Sequence, residues 1–166
     1  MNQSVRLRNV EQGDLPAFFE HQRDPESVAM VVFNSRERPA FDEHWAKILA
    51  DDTSLKQTVV VDGEVAGNVT SFLRDGVREV GYWLDRAYWG RGVATAALSA
   101  FLKLEKTRPL FAGVARHNVG SLRVLQKCGF LLIGSPDPTS ADSEDDLFLT
   151  LTLPAGPLAQ PLPQTT

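Results

Sequence analysis

The sequence predicts a mixed α/β (α+β) fold, a mostly antiparallel central sheet of about seven strands flanked by about four helices. Three observations carry this. Apolar runs of strand length alternate with helical patterns along residues 5–153. Asp62-Gly63 stands between two such runs, a strong hairpin signal, and Arg74-Asp75-Gly76 marks a second turn. Later in the chain, two strand-to-helix transitions carry Gly90-Arg91-Gly92 and Asn118 at the helix start.

The elements follow in order. Val5-Arg6-Leu7-Arg8 alternates as a strand. Asp14 is placed to cap a helix through about Arg23, with Leu15, Phe18 and Phe19 on its apolar face. Phe41, Trp45, Ile48 and Leu49 have helical spacing over 41–50. Strands at 58–61, 65–73 and 77–84 are joined by the two turns as an antiparallel meander. A helix over 92–105, a strand at 110–115 and a helix over 118–127 follow. Gly129 suits a left-handed C-cap, and strands at 130–133 and 147–153 complete the sheet.

Length and composition bound the function. A chain of 166 residues with 43% hydrophobic and 23% charged residues reads as one globular domain over residues 1–153. Residues 154–166 hold prolines 154, 157, 161 and 163 without apolar periodicity, and are expected to be a disordered tail. Net charge is −4, which argues against a nucleic-acid partner. No apolar run reaches the roughly 18 residues of a membrane span, so no membrane partner is expected. Met1–Arg6 lacks the apolar stretch of a secretory signal, and Cys128 stands alone; a cytoplasmic location is expected. His21, His44, His117 and Cys128 have no metal-ligand spacing, so no metal is expected.

Two segments carry chemistry. In Tyr88–Leu98, two glycines let the backbone curl into a helix whose first turn offers free N–H groups, and small residues leave room for a bulky anion. Arg91 adds charge. The same turn serves equally to start a helix. It is not a P-loop, since no Gly-Lys-Ser/Thr follows. In Arg116–Phe130, Asn118 fits an N-cap with Ser121 in the first turn. The functional alternative points both residues into a cleft beside the glycine turn.

Together these segments resemble the GNAT superfamily of acyl-CoA-dependent N-acyltransferases. Its pattern is Gln/Arg-x-x-Gly-x-Gly/Ala after the fourth strand, then Asn-x-x-Ser/Ala and Lys-x-Gly-Phe. This chain has Trp89-Gly90-Arg91-Gly92-Val93-Ala94, Asn118-Val119-Gly120-Ser121 and Lys127-Cys128-Gly129-Phe130. Gly81-Tyr82-Trp83-Leu84 with Tyr88–Gly92 looks most like the branch containing ribosomal-protein N-terminal acetyltransferases. The resemblance implies a sheet splayed between the fourth and fifth strands. It implies acetyl-CoA as cosubstrate, held by Trp83, Leu84, Trp89, Gly90, Arg91, Gly92, Val93, Ala94, Thr95, Asn118 and Ser121. It implies an amine acceptor, with the chain acting as monomer or homodimer. Trp89 replaces the usual Gln or Arg, and Leu125 replaces a tyrosine that many members use as general acid.

Acetyl transfer needs a held thioester, a neutral amine and a donor for the leaving thiolate. An alkylamine of pKa about 10.4 is almost wholly protonated at pH 7, and an α-amino group of pKa about 8 needs less help. By the resemblance, Glu79 matches a glutamate that serves as base in some members, acting through water; an ordinary half-exposed strand position is the alternative. Gly81 suggests a bulge or a close backbone approach. The resemblance implies that the Trp83 N–H binds the thioester oxygen and Leu84 contacts the pantetheine arm. With no tyrosine at position 125, Ser121 is the remaining thiolate partner. Asp142, Glu144, Asp145 and Asp146, and separately Asn34, Arg36 and Arg38, fall where the family borders its acceptor site. A non-catalytic acyl-CoA-binding module is the alternative reading of the whole chain.

Overall fold

The structure is a computed structural model that describes residues 3–31, 35–133 and 148–155. Asn34, the acidic loop at 142–146 and all but the first two residues of the proline-rich tail lie outside the described residues.

Strands β1 (Val5–Asn9), β2 (Lys56–Val61), β3 (Glu64–Arg74), β4 (Val77–Leu84), β5 (Leu110–Ala115), β6 (Leu131–Leu132) and β7 (Phe148–Leu153) form one seven-stranded sheet. Its order is β1-β2-β3-β4-β5-β7-β6. The helices among the described residues are α1 (Leu15–Arg23), α2 (Pro25–Ala29), α3 (Arg38–Ala50), α4 (Val93–Leu102) and α5 (Val119–Lys127). Every strand pair is antiparallel except β4 with β5.

The two faces of the sheet bury separate cores. Val80 and Leu84 of β4 pack with Val93, Leu98 and Phe101 of α4 and Leu125 of α5. On the opposite face, Leu15, Phe18 and Phe19 of α1 close over Phe41 and Trp45 of α3. Strand alternation therefore turns Tyr82 toward α5, and Glu79 and Trp83 to the opposite face, where Trp83 meets α1.

The feature that positions the site is the parallel seam. β4 and β5 share a single paired position, Glu79 with Phe111. Beyond it both strands run on without a ladder, so the sheet opens as the expected splay. β5 spends its other edge on β7, paired from Leu110 to Ala115.

Several expectations need correction. The fifth helix, α2, is only five residues long and too short to register as periodicity. Its start is nonetheless written locally, with Pro25 in the first turn and the Asp24 carboxylate accepting from Ser27 N at 3.0 Å. Asp14 does not cap α1. Its carboxylate is buried and accepts from Arg8 at 2.7 and 2.8 Å, Glu11 N at 2.9 Å and Thr58 Oγ1 at 2.7 Å. α4 ends at Leu102 rather than at Glu105, whose carboxylate turns inward to accept from Ser71 Oγ at 2.5 Å. Gly81 is neither a bulge nor a close approach. β3 and β4 pair without a break, and a β-carbon at Gly81 would meet only Phe72, at 3.8 Å. The bulge lies between Val59 and Val60, and the glycine under backbone is Gly67.

Candidate active site

The open seam forms one wall of a cleft of about 550 Å³. The end of β4, the turn into α4, the inner face of α5 and residues Ser27, Met30 and Val31 enclose it. Most predicted residues converge here: Trp83, Leu84, Trp89, Gly90, Gly92, Val93, Ala94, Thr95, Asn118 and Ser121 all line it. Arg91 and Glu79 do not.

The turn into α4 is built by backbone sign. Gly90 (φ 70°) and Gly92 (φ 76°) both occupy the left-handed region, and Gly92 is the residue from which α4 starts. A β-carbon at either would meet nothing within 4 Å, so conformation rather than room requires glycine. The result presents the unpaired amides of the first turn of α4 to the cleft, the arrangement that receives a phosphate. Arg91 turns away; its guanidinium stacks over the Tyr88 ring at 5.2 Å, with Nη1 3.4 Å from Ala87 O. Trp89 closes the turn, its indole N–H donating to Leu84 O at 3.3 Å.

Two cations given no site role from the sequence line the cleft where Arg91 does not. Arg123 and Lys127 of α5 line the cleft one helical turn apart. Their i, i+4 spacing, in phase with Gly120, is the signal that would have found them.

At the start of α5, the Asn118 carboxamide caps the helix by accepting from Ser121 N at 3.1 Å, as expected. Ser121 Oγ lies 2.6 Å from the Tyr82 hydroxyl. Burial drives the Tyr82 phenol up, the Ser121 hydrogen bond offsets part of this, and Cys128 adds to it; the result is a pKa of about 12. Cys128 is half-buried, its sulfur 3.5 Å from Ser99 Oγ and 3.7 Å from Thr95 O.

Trp83 faces α1, its indole N–H donating to His21 O at 3.2 Å. Burial holds the His21 imidazole below its ordinary pKa, against the pull of Asp85 and Glu20. The register corrects the role given to the Trp83 amide. Asp85 N donates to Ala66 O at 2.8 Å, and the ladder pairs Asn68 with Trp83. Antiparallel alternation then turns the N–H groups of Trp83 and Asp85 toward β3, and those of Tyr82 and Leu84 toward the seam. Glu79 sits at the closed end of the seam, roughly 13 Å along the strand from Trp83. Its Oε2 is 3.2 Å from Arg74 Nε, in ion-pair but not hydrogen-bond geometry. His117 binds the end of α2, with Nε2 2.7 Å from Ala29 O. Among the described residues, no group of three or more His, Cys, Asp or Glu side chains is arranged to hold a metal. No helix there is long and apolar enough to cross a membrane.

An unpaired strand edge, a left-handed glycine turn with free helix amides and flanking cations on one cleft fit a pantetheine arm ending in a diphosphate. The family model for the acetyltransferase (GNAT) domain matches residues 4–131. The chain belongs to the GNAT acetyltransferase family. Among curated proteins, the probable N-acetyltransferase YjcK of Bacillus subtilis (strain 168) is 37% identical over 103 residues, covering 57% of this chain and 52% of that protein. The chain thus spans about half the length of that relative. Among solved structures, the aminoglycoside acetyltransferase AAC(6')-Ib in complex with coenzyme A aligns with a TM-score of 0.70 at 19% identity, over 90% of this chain and 95% of that one. The spermidine N-acetyltransferase of Vibrio cholerae, in complex with CoA and spermine, aligns at 0.69 and 18% identity, over 79% and 83%. At these identities the structural likeness speaks for the fold alone.

Proposed function

We propose that this chain transfers an acetyl group from acetyl-CoA directly to a primary amine. The observation that carries the proposal is the convergence on one cleft of the free β4 edge, the Gly90–Gly92 turn and the start of α5. The amides of Val93, Ala94 and Thr95, with Arg123 and Lys127, hold the phosphates. The arm runs along the β4 edge, where the Tyr82 and Leu84 N–H groups meet its carbonyls and the thioester oxygen. Charge developing on that oxygen is stabilised by such fixed donors. The Asn118 carboxamide keeps its NH₂ for the pantetheine amide while its oxygen caps α5. Ser121 donates a hydrogen bond to the leaving thiolate.

Glu79 serves as base through ordered water, since its carboxylate stands outside the cleft wall. Primary amines of polyamine or aminoglycoside type are the leading acceptors, because relatives of this fold are named for them. A peptide α-amino group is the second class, on the strength of the Gly81–Leu84 and Tyr88–Gly92 wording.

The test is thiol release from acetyl-CoA against polyamines, aminoglycosides, amino acids and peptides beginning with Ala or Ser. Wild type and Glu79→Gln are compared across pH. Release that depends on one amine class is expected, with the deficit of Glu79→Gln shrinking as pH rises and the amine loses its proton unaided. Equal activity of the two proteins at every pH removes Glu79 from the reaction. Saturable acetyl-CoA binding with no release from any amine favours a binding module instead.

A further inference from the structure

Tyr82 stands in the Gly81–Leu84 stretch without a role of its own, yet it enters the cleft from β4 and meets Ser121 Oγ at 2.6 Å. Its hydroxyl also lies 3.5 Å from the Ser121 carbonyl. From the other side, Asn118 Oδ1 holds Ser121 N. Ser121 is therefore fixed at backbone and side chain by β4 and by its own helix cap. One hydrogen lies between the two hydroxyls, and acidity decides whose it is. Either hydroxyl can donate across this contact; the phenol is the stronger donor and the carbonyl contact is the longer one, which favours Tyr82 donating and Ser121 Oγ accepting. The serine's own hydrogen is then left to point away from Tyr82, and accepting one bond strengthens the bond it donates.

We infer that Tyr82 is a positioning residue: by donating to Ser121 Oγ, it aims the serine O–H at the sulfur that leaves the thioester. This rests on the Ser121 role proposed above. In the reaction, the amine nitrogen bonds to the carbonyl carbon, and the C–S bond breaks with its electron pair on sulfur. The Ser121 O–H shares its hydrogen with the thiolate without surrendering it. The proton lost by nitrogen passes through water to Glu79, the base proposed above, and solvent protonates the thiolate as CoA departs. Tyr82 stays neutral throughout. It orients Ser121 from β4, while Leu125 packs into the core.

The experiment reads CoA bound to the protein, with no acceptor needed. The thiolate absorbance of bound CoA is titrated with pH as a difference against CoA-free protein. It is run for wild type, Tyr82→Phe, Ser121→Ala and the double variant. Arg123, Lys127 and Cys128 are common to all four, so their effects cancel in the comparison. A serine hydrogen bond to the thiolate should lower the bound thiol's midpoint by about one pH unit relative to Ser121→Ala. Tyr82→Phe should give back about half of that, and the double variant should match Ser121→Ala. A Tyr82→Phe midpoint equal to wild type, with Ser121→Ala still shifted, sinks the inference and leaves the Ser121 role standing. A Ser121→Ala midpoint equal to wild type removes both. A Tyr82→Phe shift of the same size in the Ser121→Ala background, or loss of CoA binding in Tyr82→Phe, shows that Tyr82 acts structurally and overturns the inference.

Discussion

Gly67 on β3 faces the carbonyl of Trp83 on β4 so closely that a β-carbon there would overlap it, with Leu84 Cα at 2.9 Å. The contact sits beside the bulge between Val59 and Val60, where β2 and β3 slip by one residue. Only a residue without a side chain lets β3 press against β4 at the rim of the cleft.

Gly67→Ala should therefore cost about 1–3 kcal/mol, because backbone and not a flexible side chain must yield. Denaturant unfolding reads the loss of stability, and weaker CoA binding should accompany it as β4 shifts. Gly81→Ala, with only Phe72 at 3.8 Å, is the control and should be far milder.

Gly90→Ala and Gly92→Ala should act through conformation alone, since neither β-carbon would touch a neighbour within 4 Å. Holding alanine at positive φ costs roughly 1–2 kcal/mol per position. Where the loop relaxes to escape that cost, the amides of the first turn of α4 lose their aim. Calorimetric CoA titration should show weakened affinity, and melting curves should account for the strain that remains.

Arg123→Ala and Lys127→Ala should each raise the CoA dissociation constant by up to about fivefold, the range for partly exposed charge contacts. The effect should shrink with added salt. Pantetheine, which lacks the diphosphate, should bind the variants and wild type alike. An equal loss for pantetheine would place these cations elsewhere on the ligand.

The buried carboxylates set the acid limb of stability. Burial alone would raise Asp14, but hydrogen bonds from Arg8, Glu11 N and Thr58, with the Arg8 charge, hold it below its ordinary 3.8. For Glu105, burial is likewise outweighed, by Ser71, Thr107 and the charge of Arg78, and it lies below 4.5. Each folded carboxylate releases its proton more readily than the unfolded one. The stability each contributes is complete well above pH 4.5 and is lost as pH falls through the lowered values. Urea midpoints measured from pH 6 to pH 2 should decline less steeply for Asp14→Asn and Glu105→Gln than for wild type. An unchanged slope in both would mean that other groups govern acid unfolding.

The sequence by itself determined the order of elements and the cleft's main lining. Turn dipeptides, Gly90 and Gly92, and the Asn118 cap act through neighbours only a few residues away, so β4, β5 and α5 could be read almost to the residue. Local signals also failed where a tertiary partner outbid them. Asp14 looks like a helix cap, but the Arg8 guanidinium and Thr58 claim its carboxylate across the β1–β2 pair. Gly81 looks like the special glycine, yet closeness of two backbones is a property of strand pairing, and pairing selects Gly67. Which amides of β4 face the seam depends on register with β3, which no single strand encodes. The meeting of Tyr82 with Ser121 was invisible for the same reason. It joins residues 39 apart in sequence, brought to 2.6 Å only because β4 and β5 part company after one paired position and α5 settles beside the opening.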